Sequence, residues 1–167
     1  MTCLLKKIWH NFEEYVLVVS FVFVVPLLFM QIVMRYVFND ALSWSEELAR
    51  YIFLWQIWLG ASYGVKKSKH IRIDIIKMKM STKASTILET FVIAVCVSFC
   101  VFIAMNGTEM VSKIFSLGQI SAALALPMGY PYLSIPVGAG LMTIRYIEKL
   151  VELWKDYRHL SLEGGAN

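Results

Sequence analysis

Arg35-Tyr36-Val37-Phe38-Asn39-Asp40-Ala41-Leu42-Ser43-Trp44-Ser45-Glu46-Glu47-Leu48-Ala49-Arg50 lies between two strongly apolar segments, and its reading decides the fold. Ser43 is placed to cap a helix, and Glu46 three residues on can reach back to the cap's own N–H, which makes a capping box. Glu46 and Glu47 sit in the first turn, where the positive end of the helix dipole favours carboxylates. Arg50 follows Glu46 by four residues and Glu47 by three, on the same side and in the favourable order for an ion pair. From Tyr51 to Val65 there is no charge. A helix from Trp44 to Val65 is roughly 33 Å long and spans a bilayer, so the quoted stretch is a membrane-boundary turn.

Arg50 then lies about one and a half turns inside that span. Two readings compete for it. Its long stem lets the guanidinium reach the headgroups. Alternatively it faces another protein helix together with Glu46 or Glu47, since a lipid-facing guanidinium at that depth costs about 3 kcal/mol on insertion scales. Arg35 stands across the turn as a second cation, and Tyr36 and Trp44 are aromatic residues of the kind that gather at membrane interfaces.

The 167 residues are 58% hydrophobic with a mean hydropathy of +0.62, beyond the range of ordinary soluble domains. The net charge of +4 is explained by basic loops beside membrane spans rather than by nucleic acid, because no basic and aromatic interleaving occurs outside the apolar segments. Three cysteines, Cys3, Cys96 and Cys100, make no disulfide framework. Cys96 and Cys100 are one turn apart in an apolar run without His or carboxylate companions, which reads as packing and not as a metal site. His10, His70 and His159 flank the apolar segments, so no haem or other cofactor is expected.

Outward from the turn, four spans are expected, near residues 13–36, 44–65, 86–114 and 130–154. The first follows Lys6, Lys7 and His10 and is an uncleaved signal anchor, with Pro26 as a kink near its middle. The second ends in Gly60-Ala61-Ser62-Tyr63-Gly64, small residues that permit close helix approach. Lys66, Lys67, Lys69, His70, Arg72, Lys77, Lys79 and Lys83 then crowd one connection, with Asp74 as its acid. It reads as a segment lying in the membrane interface, apolar side chains dipping into lipid and basic ones meeting anionic headgroups. Ser81 or Ser85 caps the third span, which carries Glu109 and Lys113 as an i, i+4 pair. The nearly uncharged connection from Ser116 to Met128 is expected to rest on the membrane or on a partner. The fourth span starts near Pro131, is interrupted by Pro136, and pairs Ser134 with Gly138 as a small-xxx-small packing site. Arg145, Glu148, Lys149, Glu152, Lys155, Asp156 and Arg158 make its C-terminal part a charged helical tail.

Basic residues concentrate before the first span, between the second and third, and after the fourth. The positive-inside rule therefore places both termini in the cytoplasm and the Arg35 to Arg50 turn outside. The expected architecture is a single all-α, four-helix integral membrane domain with an interfacial segment between its second and third helices.

At this point the residues resemble a known family. Arg35-Tyr36-Val37-Phe38-Asn39, Trp44-Ser45-Glu46-Glu47-Leu48-Ala49-Arg50-Tyr51, Gly60-Ala61 and His70-Ile71-Arg72-Ile73-Asp74 are similar to the small membrane subunit (DctQ type) of tripartite ATP-independent periplasmic (TRAP) transporters. Gly118-Gln119, Ser121, Ala123-Leu124, Leu126-Pro127 and Ile135-Pro136-Val137-Gly138 extend the resemblance over nearly the whole chain. Ala122 departs from it where the family often has proline. The resemblance implies a bacterial inner-membrane subunit, not an enzyme, paired with a large membrane subunit that carries substrate and sodium. A periplasmic binding protein delivers the substrate, an organic acid such as a C4-dicarboxylate or a sialic acid.

The residues agree with a supporting role, because no acid lies deep in a span and no pair of interrupted half-helices makes a transport site. A small drug exporter would need a deep carboxylate, whereas Glu13, Glu14, Glu46, Glu47 and Glu89 lie near span ends. A quinone-linked disulfide-forming enzyme would need cysteines on the outer face. The remaining alternative is an anchor or assembly subunit of another bacterial membrane complex.

Overall fold

The computed structural model describes residues 2–67 and 82–163. Its elements are α1 (Thr2–Tyr36), α2 (Ser43–Lys67), α3 (Thr82–Ser116), α4 (Gly129–Tyr132) and α5 (Ser134–Glu163). Among the described residues there is no strand, only an isolated antiparallel bridge between Ile120 and Pro127. The chain is all-helical, and His70, Arg72 and Asp74 of the expected interfacial segment lie outside the described residues.

Two helices, over Phe12–Tyr36 and Ala84–Ser116, are long and apolar enough to cross a membrane. At 25 and 30 residues α2 and α5 extend about 37 and 45 Å, so each has the length to cross as well. Their sequences are less uniformly apolar because they supply much of the interior. Val18, Val22, Phe29 and Ile32 of α1, with Phe91, Phe99 and Phe102 of α3, point outward and are all more than half exposed. Such surfaces are stable against hydrocarbon and not against water, where an apolar area this extended drives association.

The long helices form a row. α1 packs on α2, α2 on α5, and α5 on α3, while among the described residues α3 makes no helix contact with α1 or α2. Between α1 and α2 the facing positions are Glu13, Ser20, Val24, Leu27 and Gln31, spaced by one or two turns along a single side of α1. Ser62 Oγ donates to Glu13 Oε1 at 2.8 Å and Gln56 Nε2 to Ser20 Oγ at 3.0 Å, which fixes an antiparallel register. Polar pairs suit this seam, because side-chain hydrogen bonds hold helices together where lipid offers no hydrophobic drive.

Glycine decides how closely α5 approaches α2 and α3. A Cβ on Gly138 would stand 2.4 Å from Trp58 Cβ, and one on Gly107 would stand 3.0 Å from Ile135 Cγ2. Gly129 has the Phe115 ring in the space of its missing side chain, and that ring meets Tyr130 edge-on at 5.6 Å. Gly60 differs from the expectation: among the described residues nothing lies within 4 Å of where its Cβ would be. Ser134 is fully buried, but its hydroxyl turns back to Pro131 O at 2.7 Å.

Two expectations about helix ends need correction. Ser43 is the first residue of α2 and not the cap before it, and Glu46 spends its carboxylate on Arg50. Pro136 sits in the first turn of α5, where a missing N–H leaves nothing unpaired. The interruption comes earlier, at Leu133, since proline at 136 withholds the donor that the Tyr132 carbonyl would need to continue one helix. Ser85 lies inside the first turn of α3, and α1 runs through Pro26 as one assigned helix.

Candidate functional site

The row of helices brings chemistry together at its two ends. At one end are the C-terminus of α1, the start of α2, the end of α3 and α4. Arg35, Tyr36, Phe38, Asn39, Trp44, Glu46 and Arg50 are all exposed there. Asn39 takes the left-handed conformation, φ 52°, that lets the chain turn between α1 and α2, and asparagine accepts this more readily than most residues. The Arg35 guanidinium lies 6.0 Å from the centre of the Tyr36 ring. Arg50 Nη2 contacts Glu46 Oε1 at 3.1 Å, with side chains 68% and 57% exposed.

Glu47 is different from its neighbour. Its Oε2 accepts the backbone N–H groups of Ala123 and Leu124 at 3.0 and 3.1 Å, and its Oε1 accepts the Tyr51 hydroxyl at 2.5 Å. Helix spacing allowed either glutamate to pair with Arg50, and the structure divides them: Glu46 holds the arginine, Glu47 holds the connection between α3 and α4. This connection is a tight double-backed turn. Ser121 N donates to Leu126 O at 2.8 Å and Met128 N to Gln119 O at 2.9 Å, with Gly118 and Ala125 at φ 60° and 52°. An uncharged segment with exposed amides at its tip needs an acceptor, and the carboxylate from α2 supplies a charge-assisted one. Leu117, Ile120 and Leu126 remain exposed around the tip.

At the other end sits an ion pair that sequence reasoning missed. Glu13 of α1 is 1% exposed and Arg145 of α5 is 5% exposed, and Arg145 Nε donates to Glu13 Oε1 at 3.2 Å. Ser62 of α2 donates to the same oxygen, and Arg145 Nη1 reaches Glu148 Oε2 at 2.8 Å. Glu13 Oε2 is buried without a hydrogen-bond partner among the described residues. Lys66 completes the neighbourhood, its pKa held below the ordinary lysine range by burial and then by the Arg145 charge. Lys67 is exposed at the last residue of α2, 5.4 Å from the Tyr63 ring centre. A signal for this pair was present in the chain: Arg145 is the first charge after the long uncharged run that follows Lys113, and Glu13 stands at the start of another apolar run.

Among the described residues no three His, Cys, Asp or Glu side chains come together to hold a metal ion. Residues 24–156 match the family described as the DctQ component of tripartite ATP-independent periplasmic transporters. The chain belongs to this family. The DctQ-family chain is thus a membrane subunit of a transporter and not an enzyme. It is similar to the sialic acid TRAP transporter small permease protein SiaQ of Vibrio cholerae, 31% identical over 91% of this chain and 87% of the relative. The C4-dicarboxylate small permease protein DctQ of the same organism is 24% identical over 83% of this chain and 69% of that protein. The isethionate TRAP transporter permease protein DctMQ of Oleidesulfovibrio alaskensis is 29% identical over 84% of this chain, which spans 23% of that much longer polypeptide.

Proposed function

We propose that this chain supports a large transport subunit in the bacterial inner membrane and helps a periplasmic binding protein dock, in sodium-coupled uptake of an organic acid. The observation that carries the reading is the isethionate relative, in which the part similar to this chain is joined to a far longer permease polypeptide. A small helical unit that travels covalently with a larger permease acts beside it. The relatives differ in the substrate they are named for, sialic acid, a C4-dicarboxylate and isethionate, all organic acids. Substrate choice on this reading belongs to the other components.

The spans cross four times with both termini and the Lys66 and Lys67 end in the cytoplasm. Arg35, Tyr36, Phe38, Asn39, Trp44, Glu46 and Arg50 face the periplasmic side and meet the large subunit there. Glu47 contributes to the same surface indirectly, by fixing the 121–124 turn beside it. Gly138 and Pro136 shape the packing of α5, and Pro26 sets the path of α1.

Reconstitution tests this. Vesicles with this chain alone should show no sodium-driven organic-acid uptake, and adding the large subunit and a loaded binding protein should restore it. Uptake by the chain by itself would overturn the supporting role. Cysteines at Lys67 and Asp40 should be labelled from opposite sides of the membrane, and labelling of both by an impermeant reagent in intact cells would overturn the orientation.

A further inference from the structure

Among the described residues α2 keeps one open side. Between Ser45 and Lys66 its exposed residues are Glu46, Arg50, Phe53, Ile57, Ala61 and Gly64, and no others. They follow one another at steps of four, three, four, four and three, which gathers them into a stripe about 80° wide on a helix of 3.6 residues per turn. The stripe runs about 27 Å along the axis, close to the thickness of a bilayer's hydrocarbon core. Its edges are held by neighbours: Gln56 meets Ser20 of α1, and Trp58 meets Gly138 of α5. The open side thus has the width of a helix-packing seam. A lipid-facing surface is broader, as on α1, where Val18, Val19, Phe21, Val22, Phe23 and Val25 are all exposed.

The chemistry changes along the stripe. Arg50 and Glu46 pair at its start, with side chains 68% and 57% exposed. Phe53 and Ile57 follow as exposed apolar groups. At the far end stand Ala61 and Gly64, and among the described residues a Cβ on Gly64, or on Gly60 beside it, would meet nothing within 4 Å.

Three kinds of occupant fit a stripe of this length. An acyl chain would cover the apolar middle but leave the guanidinium and the carboxylate facing hydrocarbon, which is costly within a span. A second copy of this chain, inserted the same way round, would meet the stripe about a two-fold axis and set Arg50 against its own copy. A membrane helix of a different subunit has neither fault. It can bring a polar group to Arg50, and its large apolar side chains cover Ala61 and Gly64, where small residues let two backbones approach.

We infer that this stripe seats one transmembrane helix of the large permease subunit, through the full depth of the membrane and not at the periplasmic end alone. Arg50 and Glu46 set the depth of that helix, and Ala61 with Gly64 sets its distance. The inference rests on the reading of this chain as the large subunit's companion, and it names the face through which the two meet.

Photocrosslinking in membranes that hold this chain and the large subunit tests it. Phe53→p-benzoylphenylalanine should link to the large subunit, whereas the same replacement of Phe99, more exposed and on α3, should not. Copurification of the unaltered chain is read in parallel. Its failure would overturn the companion role and this inference together, while an intact complex that links through Phe99, or does not link through Phe53, would overturn the inference alone. Links from Phe53 only to lipid or to a second copy of this chain would overturn it as well. Gly64→Leu gives a second readout. Because the space is open in the chain itself, its unfolding midpoint in detergent should not fall, while its recovery with the large subunit should fall about tenfold, equivalent to about 1.4 kcal/mol. Val22→Leu, on the outward side of α1, should change neither quantity. Undiminished recovery of Gly64→Leu, or a lowered midpoint for it, would overturn the inference.

Discussion

Arg145 reaches Glu13 across 132 positions of sequence, and the two are held 3.2 Å apart with almost no exposure. This contact is the only point at which α1 is tied to α5 among the described interactions, because α1 packs its length on α2 alone. Removing Glu13 leaves the buried guanidinium with only the half-exposed Glu148 as its counter-charge among the described residues. Glu13→Ala should therefore destabilise the chain by up to about 3 kcal/mol, the low end for breaking one side of a buried pair, because Glu148 still meets the arginine. Thermal unfolding of the purified chain in detergent would read this as a fall in midpoint, with Glu14→Ala, an exposed neighbour, close to wild type. Equal behaviour of the two variants would mean that water reaches Arg145.

Glu47 gathers three donors, two of them backbone groups of the turn between α3 and α4. Glu47→Gln keeps the size and one acceptor oxygen but loses the charge and presents an amide to the same N–H groups. Hydrogen exchange at Ala123 and Leu124 should quicken by about tenfold or more, while the α3 interior keeps its protection. Unchanged exchange would show that the local bonds to Leu126 and Gln119 suffice to hold the turn.

Gly138 faces Trp58 so closely that a methyl group has no room, and the obstacle includes the Trp58 Cα at 3.3 Å. Gly138→Ala should therefore push α5 off α2 and cost about 1–3 kcal/mol, the range for overpacked sites. Gly60→Ala, where the space is open, should be neutral or slightly stabilising through helix propensity. Matching unfolding midpoints for the two variants would contradict the close approach.

Arg50→Leu separates the chain's own stability from its role in a complex. The Arg50 and Glu46 pair is largely exposed, so the isolated chain should lose at most about 1 kcal/mol. If the large subunit covers this pair, truncating one side of it should cost about 2–5 kcal/mol in association and sharply reduce copurification and uptake. Normal copurification and uptake would favour the snorkelling reading and reduce the pair to a boundary marker.

The helices were legible because membrane spans write themselves as long apolar runs, and the turn at Arg35 to Arg50 was legible because charge interrupts them. The break before α5 was visible as Pro136, although its position at Leu133 required asking which carbonyl the proline deprives. The division of labour between Glu46 and Glu47 was not legible. Both satisfy the local spacing to Arg50, and the choice is made by amides at 123 and 124 that only tertiary folding brings near. Glu13 and Arg145 escaped for a similar reason. Each stands near the end of an apolar run, where a charged side chain is ordinarily explained by the adjacent headgroups, and nothing local pairs positions so distant. The small residue at Gly138 announced packing, whereas Gly60 made the same announcement and has open space at its missing Cβ among the described residues.

The order of the row has a consequence for biogenesis. Helices leave the ribosome in the sequence α1, α2, α3, α5, yet α5 ends between α2 and α3, which do not touch each other among the described residues. The first three spans cannot close into a finished unit as they arrive. They must wait with a vacant slot, and Glu13 must wait with them, until the last 30 residues of helix enter and supply both the wedge and the arginine. A nascent chain truncated before Ser134 is therefore not a smaller version of the subunit: among the described residues α2 meets the α3 side only through Glu47 and the turn and short helix that follow α3, and α5 is the keystone.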